Sequence, residues 1–483
     1  MGNVIAKILK KAGTLGFLFV FSLSQVEGAY AQGARMTVDE FLNQVRKGHQ
    51  GFQASEKTIE ASEQRADESK LSTRPSLLGT AQYLNDKRET GSPLQGDQMA
   101  STSYSLGVKQ VTDFGLEAKL LYSHVNMALP GANTAFVPLT SYYTSGPVVE
   151  LTQSLGRNWL GAETVAAQNV ISSQVNANKF GESYKQKQFL AQAESAYWRL
   201  AIAREAVAAT KETLGRAEKM KQWSGQRAKL NLGNQSDFLQ TEANYLARSL
   251  ELQTALDEER AASRNFNTMR GVDSEVVMEQ VSLLDEKILL SLEVPNREQY
   301  RDDVKAAAFQ KSLAEASSRL GEEKNKPNVS LYGTYGMTGR DADSNEALKE
   351  GIKSDHPNYV VGLRVDIPLS LGTVDSIRQG YRKEAMAADL NYKRKVFEQE
   401  RQWKDLTNQF KDSMGRYQLA QKMEKAQRSK MEFERGRQTK GLTTTFTVLQ
   451  FEQDYANAQL ARLRSQADVV NIYAQLKTFG GGQ

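Results

Sequence analysis

No cysteine occurs anywhere in the 483 residues. That excludes disulfides, thiolate metal sites and cysteine nucleophiles, and also an N-terminal lipid anchor, which needs a cysteine to acylate. Histidine is almost as scarce. His49, His124 and His356 lie far apart without ligand spacing and read as surface residues. No internal stretch approaches ~18 apolar residues, and the mean hydropathy of −0.55 excludes a protein of many membrane-spanning helices. An excess of one charge is also missing: 62 Lys and Arg against 57 Asp and Glu leave +5, with no basic block to contact nucleic acid. There is no phosphate-binding loop, no H-E-x-x-H and no G-x-S-x-G. Asp341-Ala342-Asp343-Ser344-Asn345 opens like a calcium loop. Its sixth position is Glu346 and its twelfth Ile352, so it fails and reads as a solvated loop. No catalytic residue, metal site or cofactor is expected.

What is present begins with an export signal. Lys7, Lys10 and Lys11 precede a short apolar core, Ala12 to Leu23, and Ala29-Tyr30-Ala31 is an A-x-A cleavage site. The core is too short to anchor the chain. Residues 1–31 are therefore expected to be removed, leaving a mature net charge of +3. The destination is the periplasm, the outer membrane or the medium.

Most of the remaining chain reads as long helix. From about Trp159 to Lys229 proline is absent, and Leu190, Ala193, Tyr197, Leu200, Val207 and Leu214 recur at spacings of three and four. From about Ser376 to Lys440, Trp403, Leu406, Phe410, Ser413, Tyr417, Ala420 and Met431 share one heptad register. Seventy residues at ~1.5 Å each make a rod of roughly 100 Å. The seams are rich in Ala, Ser and Gln, which suggests helices packed side by side in a wall rather than a leucine zipper.

Short strand-like segments interrupt the helices: Ser76 to Tyr83, Val148 to Gln153, Asn328 to Tyr335 and Tyr359 to Ile367. In the last, Tyr359, Val361, Leu363, Val365 and Ile367 alternate with Val360, Gly362, Arg364 and Asp366. A half-buried soluble strand would show this pattern. So would a barrel strand with lipid on one side and water on the other.

The chain also repeats itself. Leu77-Leu78-Gly79-Thr80 matches Leu331-Tyr332-Gly333-Thr334, and Val148-Val149-Glu150-Leu151 matches Val360-Val361-Gly362-Leu363. Leu239 to Tyr245 matches Leu449 to Tyr455, each following a glycine, Gly233 or Gly441. The three matches keep their order. The first half is 44 residues longer, and nearly all the excess lies between its two strands. There Ser103 to Val111 and Leu116 to Val125 alternate about Thr112-Asp113-Phe114-Gly115, reading as an inserted β-hairpin on the loop side of the strands. The expected organisation is a first repeat over 32–272, with strands about 76–84 and 147–154, the hairpin about 103–125 and helices about 159–270. A second repeat over 273–483 would hold a helix about 297–324, strands about 328–336 and 359–368, and helices about 376–479.

This order, with these motifs, resembles the TolC-type outer-membrane efflux protein family from Thr37 to about Gly480. The strongest resemblances are the two helical turns, Gly233-Asn234-Gln235-Ser236-Asp237-Phe238-Leu239-Gln240 and Gly441-Leu442-Thr443-Thr444-Thr445-Phe446-Thr447-Val448-Leu449-Gln450. Ile367-Pro368-Leu369 and Leu151-Thr152-Gln153-Ser154-Leu155 are similar to the family's strand exits. The resemblance implies a mainly α fold with a transmembrane β-barrel. Each protomer of a homotrimer would give four or more strands to a shared barrel of twelve, and antiparallel helical hairpins would form a periplasmic tunnel. It implies a passive exit duct in the outer membrane of a Gram-negative-type envelope, for small molecules and drugs. A periplasmic adaptor and an inner-membrane pump or ABC transporter would be its partners. An exit duct for type I protein secretion is an alternative of the same kind.

At the tips the pattern departs from the family. Family members place aspartates on the second turn, and here Thr447 and Gln450 stand at those positions, so the acidic ring is missing. Asp237 aligns with an aspartate that can clasp the closed tip in relatives. Its usual tyrosine and arginine partners fall near Gln438 and Thr443, and Arg437 or Lys440 could substitute. From the residues alone, Asp237 could equally cap the following helix. Gly233 and Gly441 are expected to reverse the chain, and Leu239, Leu449 and Tyr455 to pack. Glu150, Arg364 and Asp366 would face the barrel lumen if the odd-numbered residues of their strands face lipid. A soluble periplasmic coiled-coil adaptor or scaffold is the alternative from another class. It would need an all-β block of about 80 residues that the sequence does not show.

Overall fold

The computed structural model describes residues 35–480 apart from 89–95, 97, 232, 354 and 355. The expected signal peptide lies outside the described residues. The chain enters as strand β1 (Arg35–Met36) and two helices, α1 (Val38–Gly48) and α2 (Gln50–Gln64). A capping box starts α1: the Thr37 hydroxyl accepts from the Glu40 amide at 3.3 Å, and the Glu40 carboxylate accepts from the Thr37 amide at 2.8 Å. Strands β2 (Ser76–Asp86), β3 (Met99–Val111), β4 (Leu116–Ala128) and β5 (Ser141–Ser154) follow. Helices α3 (Ala162–Lys229) and α4 (Gln235–Met269) then form the first long hairpin. After β6 (Gln280–Val281) and the short α5 (Glu286–Leu290), the succession returns. It runs through α6 (Asp302–Lys324), β7 (Asn328–Met337), β8 (Gly339–Asp341), α7 (Ser344–Glu350) and β9 (Pro357–Asp366), then the second hairpin, α8 (Leu371–Thr439) and α9 (Thr445–Lys477).

The two longest helices, α3 with 68 residues and α8 with 69, are each about 100 Å long. Each is covered over part of its length by the second arm of its hairpin, α4 or α9. Elsewhere α2 packs on α3, and α6 lies between α3 and α8. Small residues dominate the buried face of α3: Ala166, Ser173, Ala177, Ala193, Ala196 and Ala201 among them. Side chains this small let helix axes approach without a thick apolar core. In α8 the heptad residues Phe410, Ser413, Tyr417, Ala420 and Met431 are buried, with Trp403 and Leu406 packed on the core.

Bulk is concentrated at a waist between sheet and tips. Phe41 of α1 stacks on Phe266 of α4 with ring centroids 4.0 Å apart, and Tyr197 of α3 lies 5.9 Å from Phe41. Phe410 and Tyr417 of α8 and Val469 and Leu476 of α9 belong to the same cluster. The Tyr197 hydroxyl donates to the Met36 carbonyl at 2.7 Å, and burial pushes its phenol pKa up. Beside it, Arg270 and Glu279 form a buried pair at 2.6 Å. Burial works to raise the Glu279 pKa, but the Arg270 guanidinium outweighs it and holds the carboxyl below its usual range.

The sheet differs from expectation. Its path is β2-β3-β4-β5-β7-β9, antiparallel throughout, with β8 on β5. Six strands therefore line up where four were the minimum, and the inserted hairpin is part of the sheet rather than a feature of the loop side. Its turn is at the helical end. Gly115, with φ +84°, lets the chain reverse there, and a Cβ on Gly161 would strike the Asp113 carbonyl at 1.6 Å. The alternation of β3 and β4 was visible in sequence; their partners were not, because pairing is non-local. The sheet is open: among the described residues, neither β2 nor β9 has a strand on its outer side.

Candidate functional sites on the sheet and at the tips

Pairing register sorts the sheet residues into two faces. One row of partners runs Leu77, Val108, Leu120, Val149, Tyr335, Tyr359. The next row towards the helices on that face runs Gln110, Ala118, Leu151, Gly333, Val361. This face is apolar and exposed: Tyr359 is 77% exposed, Val361 72% and Leu106 60%. The opposite face is polar. It carries Thr80, Ser103, Ser105, Lys109, Glu117, Lys119, Thr152 and Thr334 by the same register. Glu150, Arg364 and Asp366 lie on it too. Lys109 and Lys119 both bridge Glu117, at 2.9 and 3.4 Å, and Lys119 also reaches Glu150 at 3.0 Å. Arg364 lies over the Tyr332 ring.

Two polar clusters replace expected surface loops. His124 is half-buried, with Nδ1 2.6 Å from the Ser145 hydroxyl, Nε2 3.4 Å from Ser344 and the ring stacked on Tyr143. His49 caps α2, accepting from the Phe52 amide at 3.1 Å, and packs on Phe189. Neither is a simple surface residue; His356 is exposed. The rejected calcium loop is the start of α7. Asp343 accepts from the Asn345 and Glu346 amides at 2.8 and 3.2 Å, as an N-cap does. Among the described residues, no acidic or histidine cluster could hold a metal.

Among the described residues of the first tip the left-handed position is Asn231, with φ 56°, not Gly233. Gly233 serves close approach instead, since a Cβ there would stand 3.0 Å from that of Arg227. Asn234 caps α4, accepting from the Ser236 amide at 3.4 Å, so the cap is not Asp237. Asp237 occupies the first turn, half-buried and without an ion pair among the described residues. At the second tip Gly441 is left-handed, φ +72°. Arg437 donates to Glu434 at 3.1 Å and to the Leu442 carbonyl at 3.0 Å, while Gln438 donates to the Met220 sulfur at 3.6 Å. Lys440 is exposed at the end of α8. Thr444 caps α9 and shares a 2.9 Å contact with the Thr447 hydroxyl; Gln450 is exposed. The structure thus does not bring Arg437, Lys440 and Asp237 together within one chain. Leu449 and Tyr455 are buried as expected, but Leu239 is 55% exposed.

Sequence reasoning missed the ion cluster that joins the hairpins. Glu452 of α9 binds Arg216 of α3 at 2.7 Å and Arg435 of α8 at 2.9 Å, and is itself buried. Arg216 also lies over the Tyr455 ring. Glu452 falls within a quoted repeat motif, yet nothing local in the sequence shows that its partner lies 236 residues away.

With an amphipathic sheet and paired long helices established, comparison with known proteins becomes informative. The family model described as "Outer membrane efflux protein" matches residues 296–482. Over that stretch, in the second half of the chain, the sequence is similar to that family. Solved structures extend the likeness in fold to the first half. The CmeC outer membrane channel of Campylobacter jejuni is 14% identical, with 92% of this chain and 86% of that one covered at a TM-score of 0.64. The outer membrane protein VceC of Vibrio cholerae is 12% identical, with 92% and 96% covered at 0.65. The open-state MtrE outer membrane channel of Neisseria gonorrhoeae is 13% identical, with 92% and 89% covered at 0.62. At these identities the structures speak for the fold alone. A search of curated proteins by sequence returns no match.

Proposed function

We propose that this protein is an outer-membrane efflux protein, the exit duct of a tripartite export system. The observation that carries the reading is the sheet, with one exposed apolar face, one polar charged face and two unpaired edges, above helices of about 100 Å. No helix of the described residues is long and apolar enough to cross a membrane. A barrel is the other route, because it satisfies every backbone hydrogen bond between strands. In this reading the chain is two structural repeats, 32–272 and 273–483, behind a removed signal peptide, and it works as a homotrimer. Its sheet sits in outer-membrane lipid and its helices cross the periplasm. Glu150, Arg364 and Asp366 face the lumen.

The duct is passive, and an inner-membrane pump supplies energy through a periplasmic adaptor. The tips carry exposed apolar side chains suited to docking: Leu230, Leu239, Leu246, Leu250, Leu442 and Phe446. The cargo is small molecules, with secreted protein as the alternative. With Thr447 and Gln450 in place of acids, the constriction has no carboxylate ring to gather cations. The test is fractionation followed by planar-bilayer recording. An outer-membrane trimer that forms ion-conducting pores is expected. A mature chain that stays soluble and monomeric in the periplasm would establish the scaffold alternative instead.

A further inference from the structure

We infer that the inserted hairpin makes the shared barrel one of eighteen strands rather than twelve; the inference rests on the trimeric duct reading above. Three observations carry it. First, β3 and β4 are full members of the sheet. They have 13 residues each, pair along their length with β2, β5 and each other, and continue both faces over their helix-side halves. Tyr104, Leu106, Val108 and Leu120 extend the apolar face; Ser103, Ser105, Lys109 and Lys119 extend the polar one.

Second, the edges fit one another. The strand β2 runs away from the helices and β9 runs back to them, so β9 of one copy meets β2 of the next antiparallel. An inserted pair of strands preserves this sense, whereas a single strand would reverse it. The lengths match, 11 residues against 10. Setting Ser76 opposite Asp366 of the neighbouring copy uses all of β9. It also keeps the faces aligned, with Leu77 beside Val365, Ala81 beside Val361 and Tyr83 beside Tyr359.

Third, the sheet already has the slant of a barrel. A row of partners runs from Ser76 through Lys109, Lys119, Glu150 and Thr334 to Val360. Below it, the helix-side ends of the six strands lie 0, 2, 3, 4, 6 and 6 residues further on. Six residues over five steps, at ~3.3 Å per residue and ~4.8 Å per step, is a tilt of about 40°. Three copies joined in the stated register give a tilt of about 35° around the whole ring. Both values fall where barrel strands lie. A barrel's diameter grows roughly linearly with strand number, so its cross-section would be about twofold that of twelve strands. The added wall carries the Lys109–Glu117–Lys119–Glu150 ladder, which makes it water-facing and charged.

The natural absence of cysteine makes the test clean. Two double variants, Gln82→Cys with Val360→Cys and Ala81→Cys with Val361→Cys, place one pair at a hydrogen-bonded site and one between such sites. Mild oxidation of the full-length protein in outer membranes is expected to link one pair or both into a covalent ring of exactly three chains. Single variants Ser103→Cys and Ser105→Cys should react with a water-soluble maleimide at least tenfold faster than Tyr104→Cys and Leu106→Cys. A conducting trimer without the link, or with all four hairpin positions reacting alike, overturns the eighteen-strand barrel and leaves the duct standing. A ladder ending at two or four chains overturns it as well. Absence of both trimer and pore instead brings down the duct reading, and the barrel with it.

Discussion

At the waist, Phe41, Tyr197 and Phe266 are at most 2% exposed and find all their neighbours within one chain. In the sheet, Tyr359, Val361 and Leu363 are more than 60% exposed, and the strand that bears them has a free edge. Both regions are rich in large apolar groups, but only the waist is complete in one copy. The waist buries four helices, the entry segment and a salt-bridged arginine together. The sheet leaves apolar side chains exposed and, among the described residues, both edges unpaired; in the proposed duct these go to lipid and neighbouring copies.

The largest effect expected from this contrast is at the waist. Removing the Phe266 ring leaves a cavity among Phe41, Tyr197 and Arg270, which should cost about 3–5 kcal/mol. Thermal unfolding of detergent-solubilised Phe266→Ala should begin well below that of the unaltered protein. The same measurement on Val361→Ala should show almost no change, since that side chain exchanges one apolar surrounding for another. Equal losses at the two positions would mean that the sheet is packed within the chain after all.

A charge tests the faces. On the apolar face, Leu363→Arg would set a guanidinium against hydrocarbon, at about 2–4 kcal/mol near the bilayer centre. Its polar-face counterpart, Thr334→Arg, should be tolerated beside Glu150, with which Thr334 is paired. The amount of trimer recovered from outer membranes should fall for the first variant and hold for the second. The reverse result would exchange lumen and lipid.

Legibility followed the range of the interactions. The heptads of α8 were readable because a helix repeats its buried face every few residues, and Phe410, Tyr417 and Met431 are buried as that register requires. The alternation of β9 was readable for the same local reason. What could not be read was pairing: that β3 and β4 lie between β2 and β5, and that Glu452 reaches back to Arg216. Turn geometry misled at Gly233 because asparagine also tolerates the left-handed region, and Asn231 had already taken that role.

The smallest effect expected is at the first tip, where two neighbouring residues separate structure from gating. Asn234 caps α4, and its loss should cost about 1 kcal/mol. Asp237, half-buried in the first turn, contributes only a favourable charge near the helix start, about 1 kcal/mol. Within the chain it has no ion pair among the described residues, so any clasp it makes must reach a neighbouring copy. Single-channel conductance of Asp237→Ala should therefore rise while its thermal stability stays near that of the unaltered protein. Asn234→Ala should lower stability slightly and leave conductance alone. If both variants lose a little stability and neither conducts more, the tip is held elsewhere. The buried Glu452 cluster between the hairpins is then where the closed state should be sought.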